Sequence, residues 1–568
     1  MGPFYQKSPG SVIVVTIINP TTFMQLRKLS ALLLLLSLTG MACQQGQKAR
    51  TALVRDTTHY TKEEYIDRVL DSTALDRFLQ QDTAYRSYAD LMKNFYRQRN
   101  YHYAWVSGDG RLTEQAGNFL NMTQQDSNAV RASLQQLYDK VTQDSGRVAA
   151  ADISRMEMML TGQFFDYGSK EWGGMTADTA KDLEWFIPRK KLDMESLLDS
   201  LVQGPGNTFE EPVNRYYITL RDALKKLADM EKKGRWDTIH ADKKIYKKGD
   251  TAAVISVVKN RLHAWGDLLV ADTSSLFTPA LDTALRSFQE RMGLTVNGTI
   301  QQPVINALNV PLEKRMQQVL LNMERMRWVP VEPGNNYLLV NIPEFKLHVY
   351  EGGKLTWSCN VVVGKPGAST VIFTKLMKFV VFSPYWNVPP GILANEVLPA
   401  VKRNSGYLSR QNMEVVGSGG KVIPAGSINW SKYSGSGFPY IIRQKPGRSN
   451  ALGKVKFLFP NEYNIYLHDT PSRGLFGETK RSFSHGCIRV AEPRRLAEWL
   501  LRNDPAWTPE KIEKAMNGDK EKFVSLKDQV PVFIGYFTAF VNSKGQLNFR
   551  DDVYGHDARL AAQLFARH

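Results

Sequence analysis

Hydrophobic positions change their period along this chain, and each change suggests a boundary. From about residue 59 to 240, apolar side chains recur at the spacing of one helix face. The run from Tyr60 through Tyr65 and Ile66 to Val69 and Leu70 is one example. This pattern predicts a helical domain, with further helices at 126–143, 149–163, 176–187 and 213–234. An aromatic cluster, Tyr101, Tyr103 and Trp105 followed by Gly108 and Gly110, interrupts the period and reads as a turn. A basic linker, with Lys243, Lys244, Lys247 and Lys248, leads into shorter helical segments. There Asp250 is placed to cap a helix with Val254, Val257, Val258, Leu262 and Trp265 on one side. Thr278 and Pro279 are placed to cap and open a second helix, with Leu281, Leu285 and Phe288 as its stripe and Gly293 at its end. Residues 296–299 form a turn, and 302–308 a short third helix. Residues 311–328 then read as one amphipathic helix carrying Leu312, Met316, Leu320 and Met323 on a face.

After residue 337 the signal becomes that of strands. Runs rich in Val, Leu, Tyr and Phe at 337–342, 346–350, 361–364, 379–382, 531–541 and 546–549 predict a sheet, with a hairpin turn at 351–354. His348 falls within a strand and reads as structural. Between about 400 and 449 the chain is rich in Gly and Ser, as in Gly417-Ser-Gly-Gly420. So long an excursion inside a sheet domain predicts a cap or lid. A helix is expected at 492–502.

Length and composition support several packed domains. Hydrophobic residues make up 43% and aromatics 11% of the 568 residues, which excludes a disordered chain. Lys and Arg number 73 against 56 Asp and Glu, a formal charge of +17. No nucleic-acid motif accompanies that excess, which reads as a solvated face. The start of the chain carries Lys7, Arg27 and Lys28 and no acid before Cys43. A short apolar run at 31–38 and the small residues Gly40 and Ala42 follow. This arrangement resembles a bacterial lipoprotein signal, with Cys43 as the lipidated first residue of the mature protein, although Gly40 stands where Leu is usual. The apolar run is too short for a membrane span. Residues 1–23 precede Met24, which is the expected start of translation.

The candidate chemistry lies in Ser484-His485-Gly486-Cys487-Ile488-Arg489, with His468 nineteen residues before Cys487. A thiol becomes a strong nucleophile once deprotonated, and an imidazole or cation nearby favours that. Gly486 allows close backbone approach, and the N–H groups of Gly486 and Cys487 are candidates to hold an oxyanion. Arg489 adds a charge suited to a thiolate or a carboxylate substrate. A structural zinc site would need further ligands, usually paired cysteines, and the chain has only three cysteines. Cys359 reads as a buried strand residue, and no disulfide is expected between it and Cys487. Asp551 and Asp552 read as a structural end rather than a metal loop.

His468 followed by Ser484-His-Gly-Cys487-x-Arg489 resembles the active site of the L,D-transpeptidase family. Asn450-Ala-Leu-Gly453, Phe459-Pro-Asn461 and the Trp386-Asn-Val-Pro389 segment resemble its large, YcbB-like branch. Residues 284–298, with Phe288-Gln289, Gly293-Leu294 and Val296-Asn297-Gly298, resemble the peptidoglycan-binding domain of wall enzymes.

The resemblance implies a multidomain α+β protein. A signal at 1–42 and a tether at 43–58 lead to a helical scaffold at 59–240. A three-helix peptidoglycan-binding-like domain at 246–310 and a connecting helix at 311–336 follow. The β-rich catalytic domain covers 337–568, with the inserted cap at about 400–449. It further implies Cys487 as nucleophile, His468 as base, the Asp469 backbone carbonyl as its orienter and Gly486 as an oxyanion donor. Arg489, Tyr466, Asn450, Trp386, His485 and Ser484 are the expected substrate or loop contacts. The reaction implied is release of D-Ala from a peptidoglycan tetrapeptide stem through a cysteine acyl-enzyme, then 3→3 cross-linking to a second stem. No metal or organic cofactor and no nucleic acid is expected. The expected location is the periplasm of a Gram-negative-type envelope, with a lipid anchor at Cys43. Water as acceptor would give an L,D-carboxypeptidase, and a protein lysine would give wall anchoring. A non-catalytic wall-binding lipoprotein, working through 246–310, is the alternative of another class.

Overall fold

The computed structural model describes residues 66–565 apart from 67, 108–110, 124–128, 144–148, 176, 189, 204–208, 235, 332 and 435–436. The expected signal segment, the tether, Cys43 and the start of the first expected helix lie outside the described residues. Helices Ser72–Gln81, Ala89–Gln98, Glu114–Met122, Ala150–Gly168, Met194–Gln203 and Arg215–Lys232 build the N-terminal region. Their buried faces converge on aromatic side chains, among them Phe95, Tyr96, Trp105, Phe119, Phe164 and Trp172. The aromatic break near 101–106 has a physical cause. The buried Glu157 carboxylate accepts hydrogen bonds from the N–H groups of Ala104 and Trp105 at 2.6 and 2.9 Å. Burial raises this carboxyl to about 7, against the pull of those N–H donors.

Two expectations fail in this region. Val69 is not on a helix; it forms an isolated bridge with His102. The helix expected at 176–187 stops at Asp182, Glu184 adopts a positive φ of 59°, and Trp185–Phe186 is a strand, β1. Trp185 is buried against Trp328 and Phe537, so tertiary packing overrides the local helical period.

β2 (Ile245–Tyr246) pairs with β3 (Ile300–Gln301), tying together helices Ala253–Ala264, Pro279–Arg291 and Gln302–Leu308. Asp250 does not cap the first of these. Ala252 holds that position, and the Asp250 carboxylate accepts from the Lys247 N–H at 2.9 Å. Ile255 rather than the exposed Val257 joins Val258 and Leu262 in the core. Thr278 caps the second helix through its hydroxyl, with Pro279 in the first turn. Gln289 then accepts from the N–H groups of Asn297 and Gly298 at 3.0 and 2.9 Å, fixing the turn that follows.

Helix Leu312–Trp328 runs through the middle of the molecule and is not simply amphipathic. Its last turns bury Asn322, Glu324 and Arg325 beside Leu321, Met323 and Met326. Each buried polar group is matched: Glu324 accepts from the Met175 N–H and the Trp328 indole, and Arg325 pairs with Asp557 at 2.6 Å.

Beyond it lies the main sheet. β4 (Tyr337–Asn341), β5 (Lys346–Glu351), β6 (Lys354–Gly364) and β7 (Ile372–Phe382) come first. β8 (Trp386–Asn387), β9 (Met413–Val416), β10 (Val422–Ile423) and β11 (Ile441–Gln444) form a separate sheet in an insertion. β12 (Val455–Leu458), β13 (Leu467–His468), β14 (Ser482–Ser484), β15 (Ile488–Val490) and β16 (Lys522–Gly535) return to the main sheet. Its order is β7-β12-β13-β15-β6-β5-β4-β16, and β16 pairs back onto β7, closing the sheet on itself. β14 adds to β6, and β1 from the N-terminal region adds in parallel to β7.

The insertion opens at β8, earlier than its Gly- and Ser-rich centre suggests. It packs Val397, Leu398, Val401, Leu408, Val415 and Ile442 into a core of its own. The strand expected at 531–541 breaks after Gly535 and resumes at β17 (Ala539–Val541), which pairs with β18 (Leu547–Phe549). At the break, side-chain amides replace the ladder: Asn341 accepts from the Phe537 N–H, and Asn322 from the Thr538 N–H. Helices Pro493–Leu501, Pro509–Met516 and His556–Leu564 complete the chain. Among the described residues no helix is long and apolar enough to cross a membrane.

Candidate active site

β13 and β15 lie side by side and parallel, with Leu467 opposite Ile488 and His468 opposite Arg489. Paired residues share a face, and so do residues two apart on a strand. Tyr466, His468, Cys487 and Arg489 therefore project from one face of the sheet. The rings of Tyr466 and His468 are 5.7 Å apart, as that arrangement requires.

His468 is buried, and its Nδ1 lies 2.5 Å from the Asp469 carbonyl. A carbonyl can only accept, so Nδ1 carries the proton and Nε2 keeps a free lone pair. Burial first, and the positive charge of Arg489 after it, lower the imidazole to about 3, against the bond to Asp469. The ring is neutral throughout the ordinary pH range. The Asp469 carboxylate is engaged elsewhere, accepting from the Lys454 N–H at 2.9 Å and pairing with Arg473 at 3.1 Å.

Cys487 is half-buried, and its thiol points to the Asn464 carbonyl at 3.6 Å. No hydrogen bond joins it to His468. By strand geometry their Cα atoms are roughly 8 Å apart, a gap that a thiol and an imidazole can bridge by side-chain rotation. Burial raises the thiol above its ordinary value, although the backbone and hydroxyl of Tyr466 and the charge of Arg489 all favour the thiolate. The resting pair is therefore a thiol and a neutral imidazole, the state from which a base takes the thiol proton. Arg489 has its own desolvation cost, and its buried Nε has no hydrogen-bond partner among the described residues.

The loop before the thiol differs from expectation in its donors. Gly486 adopts φ 113°, which favours glycine, while a Cβ there would meet nothing closer than 3.7 Å. The requirement is conformational rather than spatial. Its N–H is not free for an oxyanion, because it donates to Ser484 Oγ at 3.2 Å. Ser484 is buried and donates to the Cys487 carbonyl at 2.5 Å, so it shapes the loop and does not meet a substrate. The Gly486 carbonyl accepts from Thr370 Oγ1 at 2.7 Å.

Other expected contacts divide in the same way. Asn450 is fully buried, and its amide donates to the carbonyls of Pro384 and Lys445 at 2.9 and 3.0 Å. It clasps the base of the insertion and is not a substrate contact. Trp386 lies on β8, paired with Gln444 and packed against the core of the insertion. His485 is exposed, with Nε2 3.8 Å from Glu396 on the insertion's helical segment. Thr370, Asn464 and Glu396, which touch the site or its loop, carry no motif and escaped the sequence reading.

Cys359 is a second free thiol, buried in β6 and raised to about 11 by burial. Among the described residues no group of three His, Cys, Asp or Glu could hold a metal ion. A cavity of about 730 Å³ lies elsewhere, between helix Arg215–Lys232 and strands β4 and β5. It contains His348 and Glu344, 2.9 Å apart, but none of Cys487, His468 or Arg489. Burial opposes the Glu344 charge, yet His348 and Arg550 hold that carboxyl down at about 2. Lys346 and Arg550 each lie 3.7 Å from the same carboxylate, which reads as a structural cluster.

Residues 335–512 match the L,D-transpeptidase catalytic domain family, and residues 90–224 match a scaffold domain family. A Haemophilus influenzae protein named as an L,D-transpeptidase is 34% identical over 244 residues, which is 43% of this chain. The chain spans about half of that relative, 49% of its length. Solved L,D-transpeptidases from Stackebrandtia nassauensis and Xylanimonas cellulosilytica are 12% and 14% identical. They cover 53% and 52% of this chain and 98% and 100% of their own, with TM-scores of 0.21 and 0.17. Scores so low say nothing further about the fold.

Proposed function

We propose that this chain, whose residues 335–512 carry an L,D-transpeptidase catalytic domain, cross-links peptidoglycan stems through an acyl-enzyme on Cys487. The observation that carries this reading is a neutral His468 with a free Nε2 on the sheet face that bears the thiol. His468 takes the proton as Cys487 Sγ attacks the carbonyl before the terminal D-Ala of a tetrapeptide stem. The tetrahedral oxyanion is held by the Cys487 N–H, the donor that the loop's own bonds leave over. His468 returns the proton to the departing D-Ala amine, leaving a thioester. The side-chain amine of a second stem then loses a proton to His468 and attacks the thioester, forming a 3→3 cross-link and freeing the thiol. Arg489 and Tyr466 flank the sulfur, and the unpaired guanidinium suits a stem carboxylate.

Around this centre, the insertion carrying β8 to β11 acts as the cap expected at about 400–449, meeting the nucleophile loop where His485 faces Glu396. Hydrogen exchange across 400–449 that does not change upon acylation would refute the cap's role. Residues 246–310 serve as a peptidoglycan-binding unit, testable by sedimentation with purified sacculi. Cys43 carries the lipid anchor on the periplasmic side, testable by labelled palmitate incorporation against Cys43→Ala.

The deciding experiment incubates the purified chain with disaccharide tetrapeptide and reads the products by mass spectrometry. Cross-linked dimers that vanish with Cys487→Ala support the reading. Tripeptide alone would make the chain a carboxypeptidase, and binding without any change in the stems would make it a wall-binding protein.

A further inference from the structure

We propose that Thr370 and Tyr554 are positioning residues for acyl transfer, holding the Gly486–Cys487 peptide so that the Cys487 N–H faces the oxyanion. This rests on the acyl-enzyme reading above and names residues that neither the motif nor the family match assigns.

The argument begins with the plane of one peptide. In a trans peptide the C=O and the N–H point in opposite directions. Thr370 Oγ1 donates to the Gly486 carbonyl at 2.7 Å. The N–H of Cys487, on the far edge of the same plane, must then point away from Thr370, and it makes no hydrogen bond among the described residues. The preceding N–H is spent on Ser484. A single hydroxyl therefore sets the direction of the remaining oxyanion donor.

Thr370 is itself fixed. It is buried, and Oγ1 accepts from the Gly364 N–H at 2.9 Å, so its one proton is directed at Gly486. Tyr554, from the C-terminal segment, closes the arrangement. Its hydroxyl donates to the Gly364 carbonyl at 2.6 Å and accepts from the Thr370 N–H at 3.3 Å. Tyr554 is held in turn, its own N–H donating to the Tyr536 hydroxyl at 2.8 Å. A chain of oriented bonds thus runs from the C-terminal segment to the nucleophile loop, and neither residue touches the substrate.

Two reactions of the same sulfur separate positioning from general structure. Acylation by a carbapenem passes through an oxyanion: an Sγ–C bond forms at the lactam carbonyl, the C–N bond breaks, and His468 carries the thiol proton to the nitrogen. Alkylation by iodoacetamide forms an Sγ–C bond and expels iodide, with the thiol proton lost to solvent and no oxyanion. In the full chain, Thr370→Val should slow acylation roughly 10- to 100-fold, the size expected from a misaligned donor. Alkylation should stay within about twofold, and Thr370→Ser should restore most of the acylation rate. Tyr554→Phe should act in the same direction, and it carries the test should Thr370→Val not fold. Wild-type acylation in Thr370→Val, or a parallel fall in both reactions, would overturn the inference. A wild-type chain that never acylates would instead sink the acyl-enzyme reading, and this inference with it.

Discussion

At the scale of single residues, the chemistry turns on a histidine that stays uncharged. An ordinary imidazole base loses activity as pH falls through about 6.5. His468 is held down at about 3, chiefly by burial, so the ring stays unprotonated far below that point. The rate of Cys487 acylation should therefore show no acid limb near 6.5 and should stay flat or nearly so down to about pH 5. A midpoint close to 6.5 in stopped-flow acylation would show that the ring titrates normally. The same shift costs stability: the unfolded chain gains this proton below 6.5 and the folded chain does not, so stability falls as pH drops from 6.5 towards 3. Gly453 offers a second test. It adopts φ 62°, and a Cβ there would meet Asp469 Cγ at 2.4 Å. Gly453→Ala should press on the residue that orients His468, costing about 1–3 kcal/mol in urea denaturation and slowing acylation several-fold. Unchanged acylation would show that Asp469 can move without disturbing the ring. Cys487 and His468 stand out in the sequence because their residue types and neighbours are chemically specific. Which of the two candidate N–H groups, of Gly486 or Cys487, is left over is not legible in the sequence, because a motif does not reveal which N–H groups its own loop consumes.

Elements tell a different story. Long single-period segments such as Pro279–Arg291 announce themselves through a cap, a stripe and a stop. Short strands do not, since two residues carry no period. β1 is the costly case, because through it the helical region adds a strand to the main sheet. Phe186 packs on Tyr463 with ring centres 5.6 Å apart, and the next residue, Asn464, supplies the carbonyl that the Cys487 thiol faces. The N-terminal region thus props the turn beneath the nucleophile. An aromatic contact of this kind is worth about 0.5–1.5 kcal/mol. If part of that holds the turn in place, Phe186→Ala should slow acylation about two- to tenfold. Its melting temperature should fall by only a few degrees, since Phe186 is 41% exposed. Equal acylation rates in the two proteins would mean the turn stands without Phe186, on Asn461, whose side chain bonds to the carbonyls of Phe459 and Ile465, and on Phe373, which packs on Tyr463. Burial is likewise invisible from one segment: Asn322, Glu324 and Arg325 look like a solvated face until their partners arrive from elsewhere in the chain.

For the molecule as a whole, those partners are the point. Helix Leu312–Trp328 touches the helical region through Glu324 and Met175, and the C-terminal segment through Arg325 and Asp557. Asp557 also accepts from Thr538 Oγ1 at 2.6 Å, and it stands three residues after Tyr554. Breaking a buried pair by removing one partner costs about 3–5 kcal/mol, whereas replacing both with apolar groups can be nearly neutral. Arg325→Met should therefore destabilise the chain by that amount in urea denaturation, and Arg325→Met with Asp557→Leu should recover much of it. Function separates the two variants further. If the pair seats the C-terminal segment, and that segment seats Tyr554, Arg325→Met should also slow Cys487 acylation under conditions where the chain remains folded. The double variant should recover the rate along with the stability. Stability that recovers while acylation stays slow would mean the charge itself, rather than the seating of the segment, is what the nucleophile loop feels.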